Sequence, residues 1–101
     1  MELIFTWDPN KAAINLHKHG ISFDEAIEVF KDPHHFIMEN YFFAEETEQR
    51  YQAVGMTTKL LVLTVVFAER SNSPESQVIH LINARKADHY EEQLYADASQ
   101  A

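Results

Sequence analysis

The chain has 101 residues, of which 46% are hydrophobic and 24% are charged, and these values indicate one small globular domain rather than a disordered chain. It contains no cysteine, which excludes a disulfide framework and a thiolate metal site and fits a reducing cytoplasm. Sixteen acidic residues outnumber eight basic ones and give a formal net charge of −8, so a nucleic-acid function would require the few cations to converge in one groove.

The first twenty residues predict a short strand followed by a helix. Residues 3–7 (Leu-Ile-Phe-Thr-Trp) are mostly apolar or aromatic, as in a strand, and Asp8 and Pro9 suit the N-cap and the first position of a helix. Gly20 is the expected end of that helix. On a helical wheel, one face carries Ala12, Ala13 and Leu16, and the opposite face carries Lys11, Asn15 and Lys18.

The rest of the chain predicts one more N-terminal helix, four strands and a C-terminal helix. A Ser22-x-x-Glu25 capping box opens the second helix, which ends at Asp32-Pro33. The predicted strands cover residues 35–43, 50–56, 60–68 and 77–84, and the last helix covers residues 86–98 with an apolar stripe of Ala87, Tyr90 and Leu94. Because residues 60–68 are apolar at both parities, we expect them to form a central strand, and the short turns favour an antiparallel sheet.

Four stretches of the sequence follow a recognisable family pattern. The most specific is residues 7–11 (Trp-Asp-Pro-Asn-Lys), then Asn15, then residues 18–26, which run Lys-His-Gly-Ile-Ser-Phe-Asp-Glu-Ala. Looser stretches follow in the same order: Arg50 with Gly55, the apolar strand ending in Phe67 and Arg70, and residues 82–87 (Ile-Asn-Ala-Arg-Lys-Ala) with Glu91 and Tyr95. Together they cover most of the chain and resemble the BrnT toxin family, a RelE-like group of ribonuclease toxins from bacterial toxin–antitoxin pairs.

The resemblance implies an α+β, RelE-like fold over one domain, residues 1–101. This fold would have an antiparallel sheet of four to five strands, two N-terminal helices and one C-terminal helix, in the order β-α-α-β-β-β-β-α. The implied activity is the metal-independent cleavage of RNA by a cytoplasmic toxin that uses no cofactor and inhibits translation. The implied partner is a cognate BrnA-like antitoxin of the ribbon-helix-helix type, through which alone the toxin would contact operator DNA, and no membrane is involved.

Candidate residues follow from the chemistry of RNA cleavage without a metal ion. A base must take the 2′-hydroxyl proton, cations must stabilise the phosphorane, and an acid must protonate the leaving 5′-oxygen. Histidine serves as base or acid near neutral pH, and the arginine fork matches a phosphate. The candidate catalytic residues are Lys18, His19, Arg50, Arg70, His80 and Arg85. The candidate RNA-binding residues are Lys11, Asn15 and Lys86.

Several of these residues also have a structural interpretation. Lys18 and His19 would favour the negative end of the helix dipole. The strand-end arginines could pair with nearby carboxylates, which are Glu45, Glu46, Glu48 and Glu69. His80 could be a half-buried packing residue, and no metal site is expected because the adjacent His34 and His35 would point to opposite faces of a strand.

Two departures from the family pattern keep a second function open. Where the resemblance leads us to expect an arginine in the last strand, this chain has His80, which removes a permanent cation. The net charge of −8 also opposes RNA binding. The alternative is therefore a catalytically weakened antitoxin-binding module in a regulatory complex. In either case Tyr41, Phe42 and Phe43 are candidates for the antitoxin interface, or else a helix covers them on the second sheet face.

Overall fold

The computed structural model describes residues 2–39, 48–70 and 73–100, and these residues form a five-stranded sheet with three α-helices. The elements are, in chain order, β1 (Glu2–Thr6), α1 (Pro9–His19), α2 (Phe23–Ile27), a 3₁₀ helix (Glu28–Lys31), β2 (Phe36–Glu39), β3 (Arg50–Met56), β4 (Val62–Glu69), β5 (Ser76–Lys86) and α3 (His89–Ser99). This order confirms the predicted β-α-α-β-β-β-β-α arrangement and the α+β class. The predicted aromatic interface at residues 41–43 lies outside the described residues.

The sheet is mixed rather than wholly antiparallel. Its strand order is β1-β5-β4-β3-β2, and β2, β3, β4 and β5 pair antiparallel in sequence. β1 pairs parallel with β5, which is possible because a long connection that includes α1, α2 and three strands, and not a short turn, joins them. The predicted central position of residues 60–68 is confirmed, since β4 lies between β3 and β5.

The main core lies between α1, α2 and the 3₁₀ helix and one face of the sheet. Phe67 of β4 is fully buried there, and the ring of Phe30 packs against it edge-on at a centroid distance of 5.2 Å. Buried residues of this core are Ile21, Phe23, Ala26, Val29, Ala53, Leu63, Val65, Phe67, Ile79, Leu81 and Ala84. The other face of the sheet holds the residues one position away in each strand, among them Arg50, Thr64 and Arg85.

Gly55 allows the 3₁₀ helix to approach β3 closely. A Cβ atom at this position would lie 2.9 Å from Val29 Cγ1 and 2.9 Å from His35 Cβ. Val29 is fully buried, so its side chain has no free space in which to move away. The glycine named in the sequence pattern is therefore a packing requirement.

Two predicted helix faces were wrong. In α1, Leu16 is 51% exposed, whereas Asn15 is buried. In α3, Tyr90 is 68% exposed, whereas Glu91 and Tyr95 are buried. In both helices a polar side chain that finds partners in the sheet replaces an apolar residue in the buried face. α3 also begins three residues later than predicted, at His89, because Asp88 is its N-cap.

Candidate active site

Helix α1 is attached to the edge of β5 through one amide side chain. β1 pairs with β5 only as far as Thr6, which lies opposite His80. Beyond that point, Asn15 donates to the carbonyl oxygens of Ala84 (2.8 Å) and Ile21 (3.0 Å) and accepts from the Ala84 N–H (3.1 Å). The side chain thus hydrogen-bonds to β5 where β1 has ended. Asn15 is a buried structural residue, and its expected position on an exposed polar face is wrong.

This attachment creates a groove between α1 and β5, here called the α1 groove. It has a volume of about 160 Å³ and is lined by Lys11, Ile14, Asn15, Lys18, His19, Ile82 and Asn83. Lys11 and Lys18 are exposed, and His19 is half-buried at the C-terminal end of α1. The structure therefore brings together four predicted site residues, Lys11, Asn15, Lys18 and His19, and the two lysines are cations that a phosphate could reach.

Two predicted arginines meet on one carboxylate, at the start of β3 and just after the end of β4. Arg70 donates through Nε to Glu48 Oε1 at 2.7 Å, and Arg50 Nη2 lies 3.8 Å from Glu48 Oε2. The side chains of Arg50 and Glu48 are 15% and 22% exposed, and that of Arg70 is 48% exposed. We call Glu48, Arg50, Arg70 and the neighbouring His80 the arginine cluster.

The charges of this cluster are mutually stabilised. The hydrogen bond from Arg70 lowers the pKa of Glu48 against the opposing effect of desolvation, and the positive charges of Arg70 and Arg50 lower it further. The same hydrogen bond raises the pKa of Arg70. Glu48 is therefore ionised near neutral pH, and both guanidinium groups remain oriented when no phosphate is bound.

His80 joins the cluster from β5. It pairs with Ala68 of β4 and with Thr6 of β1, and its Nδ1 lies 2.8 Å from the Thr6 hydroxyl oxygen. Desolvation lowers the pKa of His80, and the charges of Arg70 and Lys11 lower it further, against the effects of Glu48 and Asp8. The ring is thus predominantly neutral at pH 7. Since Lys11 also lines the α1 groove, the groove and the cluster are neighbours.

Arg85 and Lys86 lie outside this arrangement. Arg85 forms a bidentate ion pair with Glu91 of α3, with N–O distances of 2.8 and 3.0 Å, and this hydrogen bonding raises the pKa of Arg85. Arg85 is opposite Thr64 in β4, six residues before Arg70, which corresponds to about 20 Å along an extended strand. Lys86 is exposed at the end of β5. The structure therefore does not bring these two predicted residues to the arginine cluster.

Glu91 anchors α3 on the second sheet face. Desolvation would raise the pKa of Glu91, but the hydrogen bonds from Arg85 and from the Asp88 N–H outweigh it, so the pKa is lowered. Gln52 of β3 also donates to the Glu91 carboxylate. Asp88 and Glu91 form a reciprocal capping box at the start of α3. The Asp-x-x-Glu spacing was visible in the sequence and could have identified this role.

The sequence did not identify two residues of the candidate site, Glu48 and Thr6. Glu48 was considered only as one of several carboxylates near the arginines, and nothing in the sequence selects it from the others. Thr6 had no signal at all, because its contact with His80 depends on the parallel pairing of β1 with β5.

A larger groove lies elsewhere, at the end of the 3₁₀ helix, and its polar groups are already paired. It has a volume of about 570 Å³ and is lined by Glu28, Lys31, Asp32, Pro33, His34, Met56, Thr57, Thr58 and Tyr95. The Asp32 carboxylate accepts from the Tyr95 hydroxyl at 2.6 Å, the Met56 N–H at 2.7 Å and the His34 N–H at 2.9 Å. We assign the site to the smaller α1 groove and the arginine cluster, because the candidate catalytic groups are there.

Within residues 2–39, 48–70 and 73–100, no three His, Asp or Glu side chains are grouped so as to hold a metal ion. In the same part of the chain, no helix has the length and apolar character needed to cross a membrane.

Comparisons with known proteins identify the family of the chain and a solved structure of similar fold. A family model described as "Ribonuclease toxin, BrnT, of type II toxin-antitoxin system" matches residues 7–91. A 1.1 Å crystal structure of the Brucella abortus ribonuclease toxin BrnT has the same fold, with a TM-score of 0.59 and 23% sequence identity over 88% of this chain and 100% of that one. A search of curated proteins finds no match. Because the family model spans most of the sequence, the chain belongs to the BrnT family of ribonuclease toxins of type II toxin–antitoxin systems.

Proposed function

We propose that this toxin is a metal-independent endoribonuclease whose reacting groups are those of the arginine cluster, and that cleavage of RNA by it inhibits translation. The observation that carries the proposal is the convergence of Arg50 and Arg70 on the Glu48 carboxylate, with His80 on the same stretch of the sheet, in a chain whose net charge of −8 otherwise opposes phosphate binding. Cations that cluster on an otherwise acidic protein provide a local positive site for an anionic substrate.

The cluster offers each chemical role that the reaction needs. The guanidinium of Arg70 is partly exposed and can exchange its hydrogen bond from Glu48 to a phosphate oxygen, and Arg50 lies beside it. The neutral ring of His80 can accept a proton, and the imidazolium so formed can then donate one. Attack of O2′ on phosphorus, with loss of its proton and protonation of O5′, would give a 2′,3′-cyclic phosphate and a 5′-hydroxyl end.

The α1 groove would bind the RNA on either side of the cut. Lys11 and Lys18 are exposed there, and His19 lines the same groove, so neighbouring phosphates of one strand could lie along it. Each lysine should add mainly electrostatic affinity that does not depend on sequence. Asn15 and Arg85 support this site through the scaffold and do not contact RNA in this proposal.

The proposed partner is a BrnA-like antitoxin of the ribbon-helix-helix type, acting in the cytoplasm. Membership of the family implies an antitoxin. A basic segment of such a partner would complement the acidic surface. Operator DNA would be contacted only through the antitoxin, since a surface with a net charge of −8 repels DNA.

The test compares Arg70→Ala with Lys59→Ala in an RNA cleavage assay. Lys59 is a matched control because its side chain is 72% exposed and lies 3.9 Å from Glu25, outside both the α1 groove and the cluster. Losing one electrostatic stabiliser should slow cleavage about a hundredfold in Arg70→Ala, whereas Lys59→Ala should behave like the parent protein. EDTA should leave the rate unchanged. Full activity in the Arg50→Ala, Arg70→Ala double variant would contradict the assignment.

The second candidate, an inactive antitoxin-binding module, is favoured by His80 and by the acidic surface. Induced expression in bacteria, with and without the neighbouring gene, separates the two functions. The toxin hypothesis requires growth arrest and RNA fragmentation that co-expression relieves. A harmless protein that nevertheless forms a stable complex with the neighbouring product on size exclusion would support the binding module instead.

A further inference from the structure

The contact between Thr6 and His80 joins two residues that are 74 positions apart in the chain. Their backbones are paired in the parallel register of β1 and β5, so the two side chains leave the sheet on the same face. The Thr6 hydroxyl oxygen lies 2.8 Å from His80 Nδ1. Thr6 itself is exposed, and burial therefore does not require its hydroxyl group to have a partner.

We infer that Thr6 is a positioning residue that fixes the ring orientation and the tautomer of His80, so that Nε2 is the nitrogen that exchanges a proton with RNA. This inference rests on the proposed ribonuclease function and deepens it. Within the described part of the chain, Nε2 has no hydrogen-bond partner, whereas Nδ1 is engaged by Thr6. The hydrogen bond at one ring nitrogen sets the protonation of the other.

The tautomer decides whether Nε2 can act as the base. If Nδ1–H donates to the Thr6 oxygen, Nε2 is bare and can take the proton from O2′, which converts the ring to an imidazolium. The imidazolium can then give its Nε2 proton to the leaving O5′ or to water, so the ring returns to its starting state and no other reactant is needed. If the Thr6 hydroxyl donates to Nδ1 instead, the neutral ring carries its proton on Nε2 and cannot accept another there.

The surroundings of His80 are consistent with proton transfer. The charged groups that act on it are Arg70, Glu48, Lys11 and Asp8, two of each sign. These charges come from the strand ends and from the first turn of α1 and its cap, and their effects on the pKa of His80 oppose one another. A neutral imidazole held by a hydroxyl can therefore persist beside two arginines. The permanent cation expected at this position from the family pattern could not transfer a proton at neutral pH.

The experiment compares Thr6→Val and Thr6→Ser. Valine keeps the shape and the strand preference of threonine without the hydroxyl, whereas serine keeps the hydroxyl. For Thr6→Val we expect kcat to fall about three- to tenfold with little change in KM, because one net hydrogen bond that orients the ring is lost. Thr6→Ser should restore most of the rate. In a His80→Ala background, Thr6→Val should have no further effect.

A spectroscopic measurement tests the positioning without relying on activity. Nitrogen-15 NMR of the imidazole side chains, with His80 assigned by its loss in His80→Gln, should show one dominant tautomer in the parent protein and in Thr6→Ser. Thr6→Val should show a changed tautomer ratio. Unchanged His80 signals in Thr6→Val, or an equal loss of kcat in the His80→Ala background, would overturn the inference. If the tautomer changes but the parent protein cleaves no RNA, the ribonuclease proposal fails and the positioning of the ring stands.

Discussion

At the scale of single residues, the N-terminal sequence pattern describes mainly the scaffold. Trp7 packs edge-on against Phe23 at a centroid distance of 5.9 Å, and the Asp8 carboxylate accepts from the Asn10 N–H to cap α1. Gly20 ends the helix with a φ of 73°, which favours glycine. The most specific part of the family pattern thus fixes α1 on the sheet, and Lys11, Lys18 and His19 are placed by that scaffold.

The variant Asn15→Ala tests whether this N-terminal pattern specifies the scaffold rather than RNA contacts. In Asn15→Ala, the N–H and carbonyl of Ala84 lose their partner in a buried position, and we expect the free energy of unfolding to fall by about 2–4 kcal/mol. Lys18→Ala, three residues later and exposed, should change it by less than about 0.5 kcal/mol. Urea denaturation measures both. Wild-type stability combined with weakened RNA binding in Asn15→Ala would show instead that Asn15 contacts RNA.

At the scale of secondary-structure elements, polar interactions play a large part in holding α3. It packs against β3 and β4, and its Glu91 side chain meets Gln52 of β3 and Arg85 of β5. Tyr95, one turn later, donates to Asp32 at the end of the 3₁₀ helix. The helix therefore depends on a few directional contacts, and losing one of them should loosen the whole element.

Arg85→Ala tests this dependence. It would leave the buried Glu91 carboxylate without its main cation, and we expect a loss of about 1–3 kcal/mol in the free energy of unfolding, less than for a fully buried pair because the Arg85 side chain is 37% exposed. Hydrogen exchange should show reduced protection in α3. Lys86→Ala, at the neighbouring exposed position, is the control. A fully stable Arg85→Ala protein that no longer cleaves RNA would show instead that Arg85 is a catalytic residue.

The sequence predicted elements better than it predicted pairings and faces. The types of the segments, their order along the chain and the central position of β4 could be predicted from local periodicity and from N-caps such as Asp8 and Ser22. The parallel pairing of β1 with β5 could not be predicted, because periodicity does not indicate which strand lies next to which. The simple alternation of side chains between the two faces of the sheet also does not hold along β5. The register with β4 shifts between Val66 and Phe67, so His80 and Asn83 lie on the same face although their numbers differ by three.

The candidate site could be predicted only in part for the same physical reason. Scarce cations were identifiable by residue type, but which of them converge depends on register, on the shift in β5 and on partners distant in the chain. Arg70 and Arg85 looked alike as cations near strand ends, yet one shares Glu48 with Arg50 and the other is paired with Glu91. Polar residues in the buried faces of α1 and α3 reversed the hydrophobic pattern there.

At the scale of the whole molecule, folding stability should depend on pH at both ends of the range. Three carboxylates have lowered pKa values: that of Glu48 through Arg70, and those of Asp32 and Glu91 because hydrogen bonds outweigh desolvation. Their ordinary pKa values are 3.8 for aspartate and 4.5 for glutamate. In each case the unfolded chain binds a proton more readily than the folded one. Their contribution is therefore complete above about pH 5 and is lost as the pH falls through the lowered folded values.

Tyr95 controls the alkaline side of the same curve. Desolvation and the hydrogen bond to Asp32 raise its pKa from 10.0 to about 12. A raised phenol pKa means that the folded state keeps its proton when the unfolded state has lost it. This stabilisation is present in full below pH 10 and disappears as the pH rises towards the folded value, a change of roughly 2 kcal/mol for a side chain that is only 7% exposed.

Tyr95→Phe separates this contribution from the general effects of alkali. The variant should be less stable than the parent protein by about 1–3 kcal/mol at pH 7, because Asp32 loses a hydrogen bond to its charged form. The difference should narrow between pH 10 and 12, since only the parent protein has this phenol to titrate. Tyr90→Phe, at an exposed position, should follow the parent curve throughout. Thermal unfolding at intervals from pH 3 to pH 12 measures all three proteins, and a constant difference between Tyr95→Phe and the parent protein across the alkaline range would show that the Asp32–Tyr95 hydrogen bond does not set this pKa.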